Sequence, residues 1–556
     1  ICQLTAGLPL ALELAASWAR LLSVPEIASE LRQDLALLTA QHADDSRQQS
    51  IQHIFTTSLQ QLSDEQQTTL LALSVFQAGW TVDAAKAVTG AHLPLLLRLS
   101  NTSLLQRGNT NRFDLHPLLK QFLQARAAHH PRLESWQSQH AGYFLDRLTS
   151  LTGKALSQFL DVDFDNVRSA WLYTLEHRPE TLLTALSKLV VYIETTGRAR
   201  EGLGLIEAAM SYLEACPDLT DELNCLLGCL QAEQAYLQLE QNQGELTTAT
   251  FEHALNLVPE RYVRERADIK LKFSFFYKRQ RNVEQRIAWA QAALADVQDR
   301  YPAEQGICLR HLAGGYNDAD DHDKATHCYQ KSIDLLETSQ HSFDDGKRQL
   351  GITLLNYGFT LYGPMHDSNR QHYDSARRLY MHALNLFQDV GFDKGTSAAH
   401  NNLAAIDINN GAYDSARSQL AASLQLSKRL QHAHHEVLAY INLVEILVRE
   451  DALTHPKGQA EAVQLLTRAR DLTVKRKLTG ILPQVAMHYA RVYSQLGCQL
   501  QAAQLLAAID AYPATDTLVK RSLNKLQLEA GIDTLPEPTL SLDALAPSLG
   551  INLPHT

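Results

Sequence analysis

Small residues recur at a regular spacing through about the last two thirds of this 556-residue chain. Four positions after most of them stands a larger side chain, and three positions further on another small one, as at Ala325, Tyr329 and Ser332. Residues three and four apart share one face of an α-helix, so the pattern predicts helix pairs with one repeated seam. The repeated positions, spaced 38 to 51 residues apart, are Gly202, Thr247, Ile287, Ala325, Ala376, Ala416, Ala462 and Ala502.

Composition favours the same fold class, because the chain has only 26 Gly and 17 Pro. Together they make about 8% of the residues, where an average chain has about 12%, so architectures of strands and turns are disfavoured. We expect an all-α protein with one small β-hairpin, whose helix pairs stack as a solenoid superhelix with a concave face. No apolar run reaches 18 residues, so we expect no membrane partner and a cytoplasmic location.

The repeated seam resembles that of the tetratricopeptide repeat. The match is clearest at residues 309–332, LRHLAGGY followed by ATHCYQKS, and again at 486–509. The period is about 40 residues rather than the 34 of that family, and inserts at 363–372 and 450–459 supply extra length. Thr247 and Ile287 are also too large for the small position. Extended arrays of this type bind on their concave face, so we expect a protein or small-molecule ligand there.

The residues ahead of the repeats predict a different order of elements. Residues 7–22 and 25–38 predict two helices, and a polar link follows at 40–49. Further helices are predicted over 50–62, over 64–76 behind a capping box of Ser63 and Gln66, over 82–89 and over 93–101. Two short runs around a Gly/Asn turn, SLLQR and RFDLH, predict a β-hairpin. Helices followed by a hairpin indicate a winged helix.

A winged helix raises the question of DNA binding. The helix that would enter the major groove, HLPLLLRLSN, offers Arg98 and Asn101 among leucines that favour burial. Residues 50–127 carry six basic and four acidic side chains, a net charge of +2. This is far short of the basic stripe that contacts phosphates, so direct DNA binding is disfavoured.

The sequence contains no catalytic constellation. A phosphate-cradling loop ends in Gly-Lys-Ser/Thr, whereas the chain reads GKA at 153–155 and GKR at 346–348. We therefore expect no ATP hydrolysis by this chain, no catalytic residues and no cofactor or metal of its own. The histidine clusters at 129–130 and at His432, His434 and His435 are interpreted as solvated surface residues, because no converging ligand set accompanies them.

Three segments resemble the NB-ARC or AP-ATPase branch of the STAND signal-transduction ATPases, especially bacterial regulators. They are GLPL at 7–10, the segment 47–67 and RFDLHPLLKQFLQARA at 112–127. The resemblance covers residues 1–130 and implies that Pro9 packs near the adenine and that His116 contacts the ADP phosphates. The family's Met-His-Asp motif reads Leu-His-Pro here, so its Asp is replaced. Each residue taken alone also has a purely structural interpretation: Pro9 as a proline that starts a helix, and His116 as a histidine that caps one.

The resemblance further implies a nucleotide-binding core upstream, and the first residue, Ile1, fits a fragment that lacks its own N-terminus. The parent protein would bind ADP or ATP. Its ADP-bound form would be closed and monomeric, and a ligand on the repeats would favour an ATP-bound, oligomerising form. These expectations describe a two-state equilibrium biased by differential binding.

The predicted division of the chain has five parts. They are a truncated helical subdomain (1–45), a winged helix (46–130), connecting helices (131–180), about eight repeats (181–512), and a C-terminal capping helix with a tail (513–556). Two rival functions remain open at this point: a tetratricopeptide scaffold without a nucleotide role, and a regulator that binds DNA through the winged helix.

Overall fold

The structure is a computed structural model that divides into two compact units. Unit 1 comprises Ile1–Leu151 and Gln158–Lys188, and unit 2 comprises Thr152–Ser157 and Leu189–Thr556. The residues that the structure describes are 12, 16, 19, 23–28, 55–102, 104–108, 111–196, 199–240, 248–340, 345–362, 370–512, 517–532, 534–538, 541–542 and 549. The predicted helices at 7–22 and 25–38 fall mostly outside this set, and so does the polar link at 40–49.

Unit 1 begins with short helices and a hairpin, which together we call the helix–hairpin module (64–127). Its elements are α1 (Asp64–Leu73), α2 (Val82–Thr89), α3 (Leu93–Asn101), β1 (Gln106–Arg107), β2 (Phe113–Asp114) and α4 (Pro117–Ala127). The predicted helices at 82–89 and 93–101 and the predicted hairpin are confirmed. The strands β1 and β2 pair antiparallel, and Trp80 forms a further antiparallel bridge with Phe113.

Local capping explains where α1 and α2 begin and where α2 ends, whereas α1 ends at Leu73, three residues before the predicted end at residue 76. At α1, the Gln66 backbone N–H donates to Ser63 Oγ, and the Ser63 backbone N–H donates to Gln66 Oε1. This reciprocal pair is the predicted capping box, which satisfies two backbone donors at once. At α2, the Ala84 backbone N–H donates to Thr81 Oγ1 at 3.2 Å. Gly90 ends α2 with φ 76°, a left-handed backbone conformation that glycine adopts readily and that residues with a side chain disfavour.

Two longer helices, α5 (Leu133–Ser150) and α6 (Gly153–His177), follow the helix–hairpin module along the chain. The sixteen helices after them are α7 (Leu182–Thr196), α8 (Ala199–Glu214), α9 (Asp221–Glu240), α10 (Thr248–Leu257), α11 (Val263–Arg279), α12 (Val283–Val297), α13 (Pro302–Asp318), α14 (His322–Ser339), α15 (Gly346–Tyr362), α16 (Arg370–Val390), α17 (Asp393–Asn409), α18 (Tyr413–Arg429), α19 (Ala433–Arg449), α20 (Pro456–Lys475), α21 (Leu482–Gln495) and α22 (Gln499–Asp510). A last described helix, α23, covers Thr517–Glu529.

The helices α7 to α22 form consecutive pairs, from pair 1 (α7 and α8) to pair 8 (α21 and α22). Within the pairs from 2 to 8, the two helices pack on each other, and each second helix also packs on the next pair. We call the part of this array that lies in unit 2 the repeat arm. Over the described residues the fold is therefore all-α with one small hairpin, and the repeats are a helical solenoid of the tetratricopeptide type.

The alanines that the sequence places at the seams are buried. Ala325, Ala376, Ala416, Ala462 and Ala502 are all 0% exposed, as the repeat pattern predicts. Gly202 is buried as well, and a Cβ on it would overlap Ile193 of α7. Thr247 lies outside the described residues. Ile287 is half-buried and is accommodated by Gly315 of α13, where a Cβ would lie 2.8 Å from Ile287 Cγ1. In this repeat the small residue therefore stands on the facing helix.

A larger side chain at a seam is expected to overpack it. Ala416 of α18 packs in a core with Leu420, Ala404 and Ile446. Ala416→Leu should lower the local free energy of unfolding of α17 and α18 by about 1–3 kcal/mol. Hydrogen exchange of these two helices measures this loss. The matched control is Ala421→Leu on the exposed side of the same helix, and equal protection in both variants would contradict the seam assignment.

Among the helices that the structure describes, none combines the length and the apolar character needed to cross a bilayer.

Candidate functional site

The first helices of successive pairs form the inner row of the repeat arm. Each first helix from α9 to α19 contacts the first helix of the following pair, in addition to its own partner. Neighbours in a curved stack approach most closely on the inside of the curve. The first helices therefore line the concave face, which is the surface that extended repeat arrays use for binding.

Two ion pairs connect first helices that lie four repeats apart. Glu194 of pair 1 accepts from Arg348 of pair 5 at 2.6 Å, and Glu240 of pair 2 accepts from Lys394 of pair 6 at 2.8 Å. Both pairs join residues separated by 154 positions. Arg348 also donates two hydrogen bonds to Asp345, at 2.7 and 2.6 Å. The inner row thus faces itself across a narrow space, which we call the inner channel.

A buried lysine between two carboxylates lies on the same inner row. Lys272 of α11 is 9% exposed; its Nζ lies 3.0 Å from Glu233 Oε1 of α9 and also donates to Asp268. Burial raises the pKa of Glu233 to about 7, although Lys272 opposes the shift. Burial alone would lower the pKa of Lys272, but Asp268 and Glu233 outweigh it and raise that pKa. The three groups therefore depend on one another for charge compensation.

A polar cavity of about 230 Å³ lies on the first helices of the last repeats. Among its lining residues, Glu445 of α19 accepts from Arg449 at 2.7 Å and from Arg491 of α21, and the His488 ring lies 3.9 Å away. Burial raises the pKa of Glu445, but Arg491, His488 and Arg449 outweigh it, so the pKa is lowered. The cavity is also lined by Tyr362, Ala405, Ile408, Asn409, Asn442, Met487 and Ser522. Its amides, guanidinium groups and phenol suit a polar ligand such as a peptide backbone.

The interpretation of the histidine cluster at the start of α19 as surface residues is wrong in part. His435 is buried, and only His434 is exposed. His432 is half-buried and caps α19, because its Nδ1 accepts from the His435 backbone N–H. Burial lowers the pKa of His432 to about 3, and the Lys394 charge adds to the shift. His432 and His435 are therefore packed against protein, whereas His434 lies at the surface as predicted.

The two residues singled out by family resemblance have different outcomes. Pro9 lies outside the described residues. His116 stands at the N-cap of α4, directly before Pro117, and its Nδ1 accepts from the Leu118 backbone N–H at 3.3 Å. The capping role that the sequence left open for His116 is therefore present, and its contact with a nucleotide stays a prediction.

A buried polar network in unit 1 was not predicted from the sequence. Asn166 of α6 is fully buried, and its Oδ1 accepts from the backbone N–H groups of Gln77 and Ala78 at 2.8 and 3.2 Å. Asp163, one turn earlier, makes a two-pronged contact with Arg112 at 3.0 and 2.6 Å. Arg112 also donates to the Gly79 carbonyl. These contacts attach α6 to the turn ahead of α2 and to the hairpin. The signal in the sequence that could have indicated them is the spacing of Asp163 and Asn166, which puts both side chains on one face of α6.

A second cavity, of about 310 Å³, lies beside this network. His140 of α5 lines it and lies 3.4 Å from Asn166 Oδ1, and burial lowers the pKa of His140 to about 4. The other lining residues are Ser74, Val75, Gln77, Gln124, Ala127, Ala128, Leu133, Gln137, Ser169 and Tyr173. The cavity thus opens among α4, α5 and α6.

Several solved structures share the helical-repeat architecture. A Signal Transduction ATPase with Numerous Domains (STAND) protein with a tetratricopeptide repeat sensor, PH0952 from Pyrococcus horikoshii, is 13% identical with a TM-score of 0.49, covering 95% of this chain and 68% of that one. A Rap protein complexed with Competence and Sporulation Factor is 17% identical with a TM-score of 0.43, covering 71% of this chain and 99% of that one. NprR in complex with its cognate peptide NprX is 13% identical with a TM-score of 0.36, covering 70% of this chain and 99% of that one.

These values limit what the similarities mean. No known protein family matches the sequence, and no curated protein does. With identities below 20% and TM-scores below 0.5, the structural similarities carry no argument about ligand, nucleotide or activity. The assignment of a helical repeat protein stands on the helix pairs and their buried seams.

Proposed function

We propose that this chain is the regulatory and sensor region of a STAND-type signal-transduction ATPase. The repeat arm would bind a protein or small-molecule ligand on its concave face. The helix–hairpin module, which has the element order of a winged helix, would respond to the nucleotide held by an upstream domain. This chain would carry no hydrolytic activity of its own, because neither of its Gly-Lys pairs continues into Ser or Thr.

The main support for the proposed sensor function is the number of buried charged side chains on the inner row. Three cationic side chains of first helices are each less than 10% exposed: Lys272, Arg310 and Arg348. Burying charges costs free energy that an apolar seam would not. A scaffold that only needed to stack its helices would gain more from leucines at these positions, so polar recognition is the better reason for them.

The tautomer of His116 supports the switch part. Because Nδ1 accepts from the Leu118 backbone N–H, the neutral ring carries its hydrogen on Nε2. That nitrogen is then a donor, which is what contact with a nucleotide phosphate requires. Capping α4 and holding a phosphate are therefore compatible roles for one side chain.

The test uses the full-length parent with His116→Ala and with His116→Asn, since asparagine keeps a capping side chain and removes the imidazole. A hydrogen bond to an ionised phosphate contributes about 1.5–3 kcal/mol, so its loss should shift the closed-to-open ratio about 10- to 150-fold. Both variants should then bind ADP more weakly and assemble without ligand. ADP affinity and oligomer mass measure these effects.

The capping role alone predicts a different result. His116→Ala would lose about 1 kcal/mol of stability, His116→Asn almost none, and ADP affinity and oligomer mass would stay unchanged in both. That outcome would remove His116 from the mechanism and favour the scaffold without a nucleotide role. The presence or absence of a P-loop in the upstream sequence of the parent gene separates the same two functions.

Direct DNA binding is the weaker alternative. The helix α3 exposes Leu93 and Leu97 beside a single cation, Arg98, whereas groove recognition needs several donors and acceptors. The prediction that its leucines are buried holds for Leu95, Leu96 and Leu99 but not for these two. Retention of the chain on duplex DNA at moderate salt would support this alternative.

A further inference from the structure

One buried arginine on the inner row lacks the carboxylate partner that its neighbours have. Arg310 of α13 is 7% exposed; it donates to Gln349 Oε1 at 2.8 Å and lies 3.3 Å from the His311 ring. The nearby Arg286 is paired with Asp318, and Arg348 is paired with Glu194 and Asp345. Within the described part of the chain, Arg310 forms no ion pair. A buried guanidinium with only neutral partners is costly unless something else compensates it.

A histidine adjoins Arg310 in the inner channel. His311 is half-buried, and desolvation lowers its pKa well below the usual value. After desolvation, the strongest influences on the His311 ring are four cations, Arg310, Arg286, Lys278 and Lys272.

We propose that Arg310 and His311 form a binding site for an anionic group, a carboxylate or a phosphate, inside the inner channel. The proposal rests on the proposed sensor function and specifies the chemistry of its ligand. The Arg310 guanidinium offers the planar donors that bind carboxylate and phosphate oxygens, and His311 adds a ring nitrogen beside it.

The proposed site predicts two measurable effects of Arg310→Met in the purified 556-residue chain. Inorganic phosphate and a pentaglutamate peptide, titrated by calorimetry at an ionic strength held constant with sodium chloride, should bind the unmodified chain saturably. Loss of a charge-assisted contact should weaken that binding about 10- to 150-fold. Without either probe, Arg310→Met should melt at a higher temperature than the unmodified chain, because an uncompensated buried charge has been removed.

The controls separate this site from general charge effects. Arg417→Met removes an arginine of α18 that is paired with Glu450 on the second-helix side, and should leave both affinities unchanged. Tighter binding of pentaglutamate than of phosphate identifies an acidic peptide as the source of the anion, and the reverse identifies a small phosphate compound. Equal affinities for Arg310→Met and the unmodified chain, or a lower melting temperature of Arg310→Met, would overturn the proposal.

Absence of saturable binding of both probes to the unmodified chain would also overturn it. The proposed sensor function would not fall with that result, because the His116 variants test it through ADP affinity and oligomer mass.

Discussion

Lys272→Met is expected to lower the local free energy of unfolding of α9 and α11 by about 3–5 kcal/mol at pH 8. The substitution removes the cation that lies 3.0 Å from Glu233 and leaves that carboxylate buried without a counter-charge. Breaking a buried pair from one side is strongly destabilising for this reason. Hydrogen exchange of the two helices measures the loss separately from the rest of the array.

The loss should also depend on pH, in a direction that the raised pKa of Glu233 determines. A carboxyl whose folded pKa lies above its unfolded value binds more protons in the folded state, so stability falls as pH rises between the two values. In the intact chain that interval runs from 4.5 to about 7. Without Lys272 the folded pKa of Glu233 rises further, so the variant should lose less stability at pH 5 than at pH 8.

Two further variants control this result. Lys324→Met removes an exposed lysine paired with Asp321, and should cost at most about 1 kcal/mol. The double variant Glu233→Met with Lys272→Met removes both buried charges and should recover most of the stability lost by Lys272→Met. A cost for Lys272→Met as small as that for Lys324→Met would show that the buried pair is not formed in solution.

The parts of this fold that could be predicted from the sequence are those that local chemistry determines. The helix at 82–89 lies between the Thr81 cap and Gly90, and the seam alanines repeat at fixed offsets, so both are visible in a short window of sequence. Ile287 shows the limit of that approach. Its seam depends on Gly315, and nothing in the sequence around Ile287 indicates which residue of another helix it will face.

The candidate sites were less predictable because long-range contacts build them. Asn166 meets the turn at Gln77 across 89 positions, and Arg348 meets Glu194 across 154. The burial of His435 likewise follows from helices that pack around the start of α19. The sequence predicts that the repeats are helix pairs, but the curvature of the array decides which helices face each other.

The Arg348 contact offers a direct test of that curvature, because it joins pair 1 to pair 5. The Arg348 guanidinium is almost completely buried and donates to Glu194 and Asp345, whose side chains are only 20% and 18% exposed. Arg348→Met should leave both carboxylates without their main cation and lower local stability by about 3–5 kcal/mol. Hydrogen exchange should show the loss in α15, which carries Arg348, and also in α7, which carries Glu194.

The response of α7 is the informative part of this experiment. If the inner channel is as narrow in solution as the two ion pairs make it, Arg348→Met reduces protection in both helices, although four repeats separate them along the chain. Glu194→Gln should then reduce protection in α7 and α15 by a smaller amount, about 1.5–3 kcal/mol, because it removes one charged hydrogen bond and leaves Asp345 on Arg348. Arg429→Met, which removes an exposed cation paired with Asp393, should change neither helix. A loss confined to α15 would mean that pairs 1 and 5 do not touch in solution, so that a ligand could enter the inner channel without breaking the ion pair between Glu194 and Arg348.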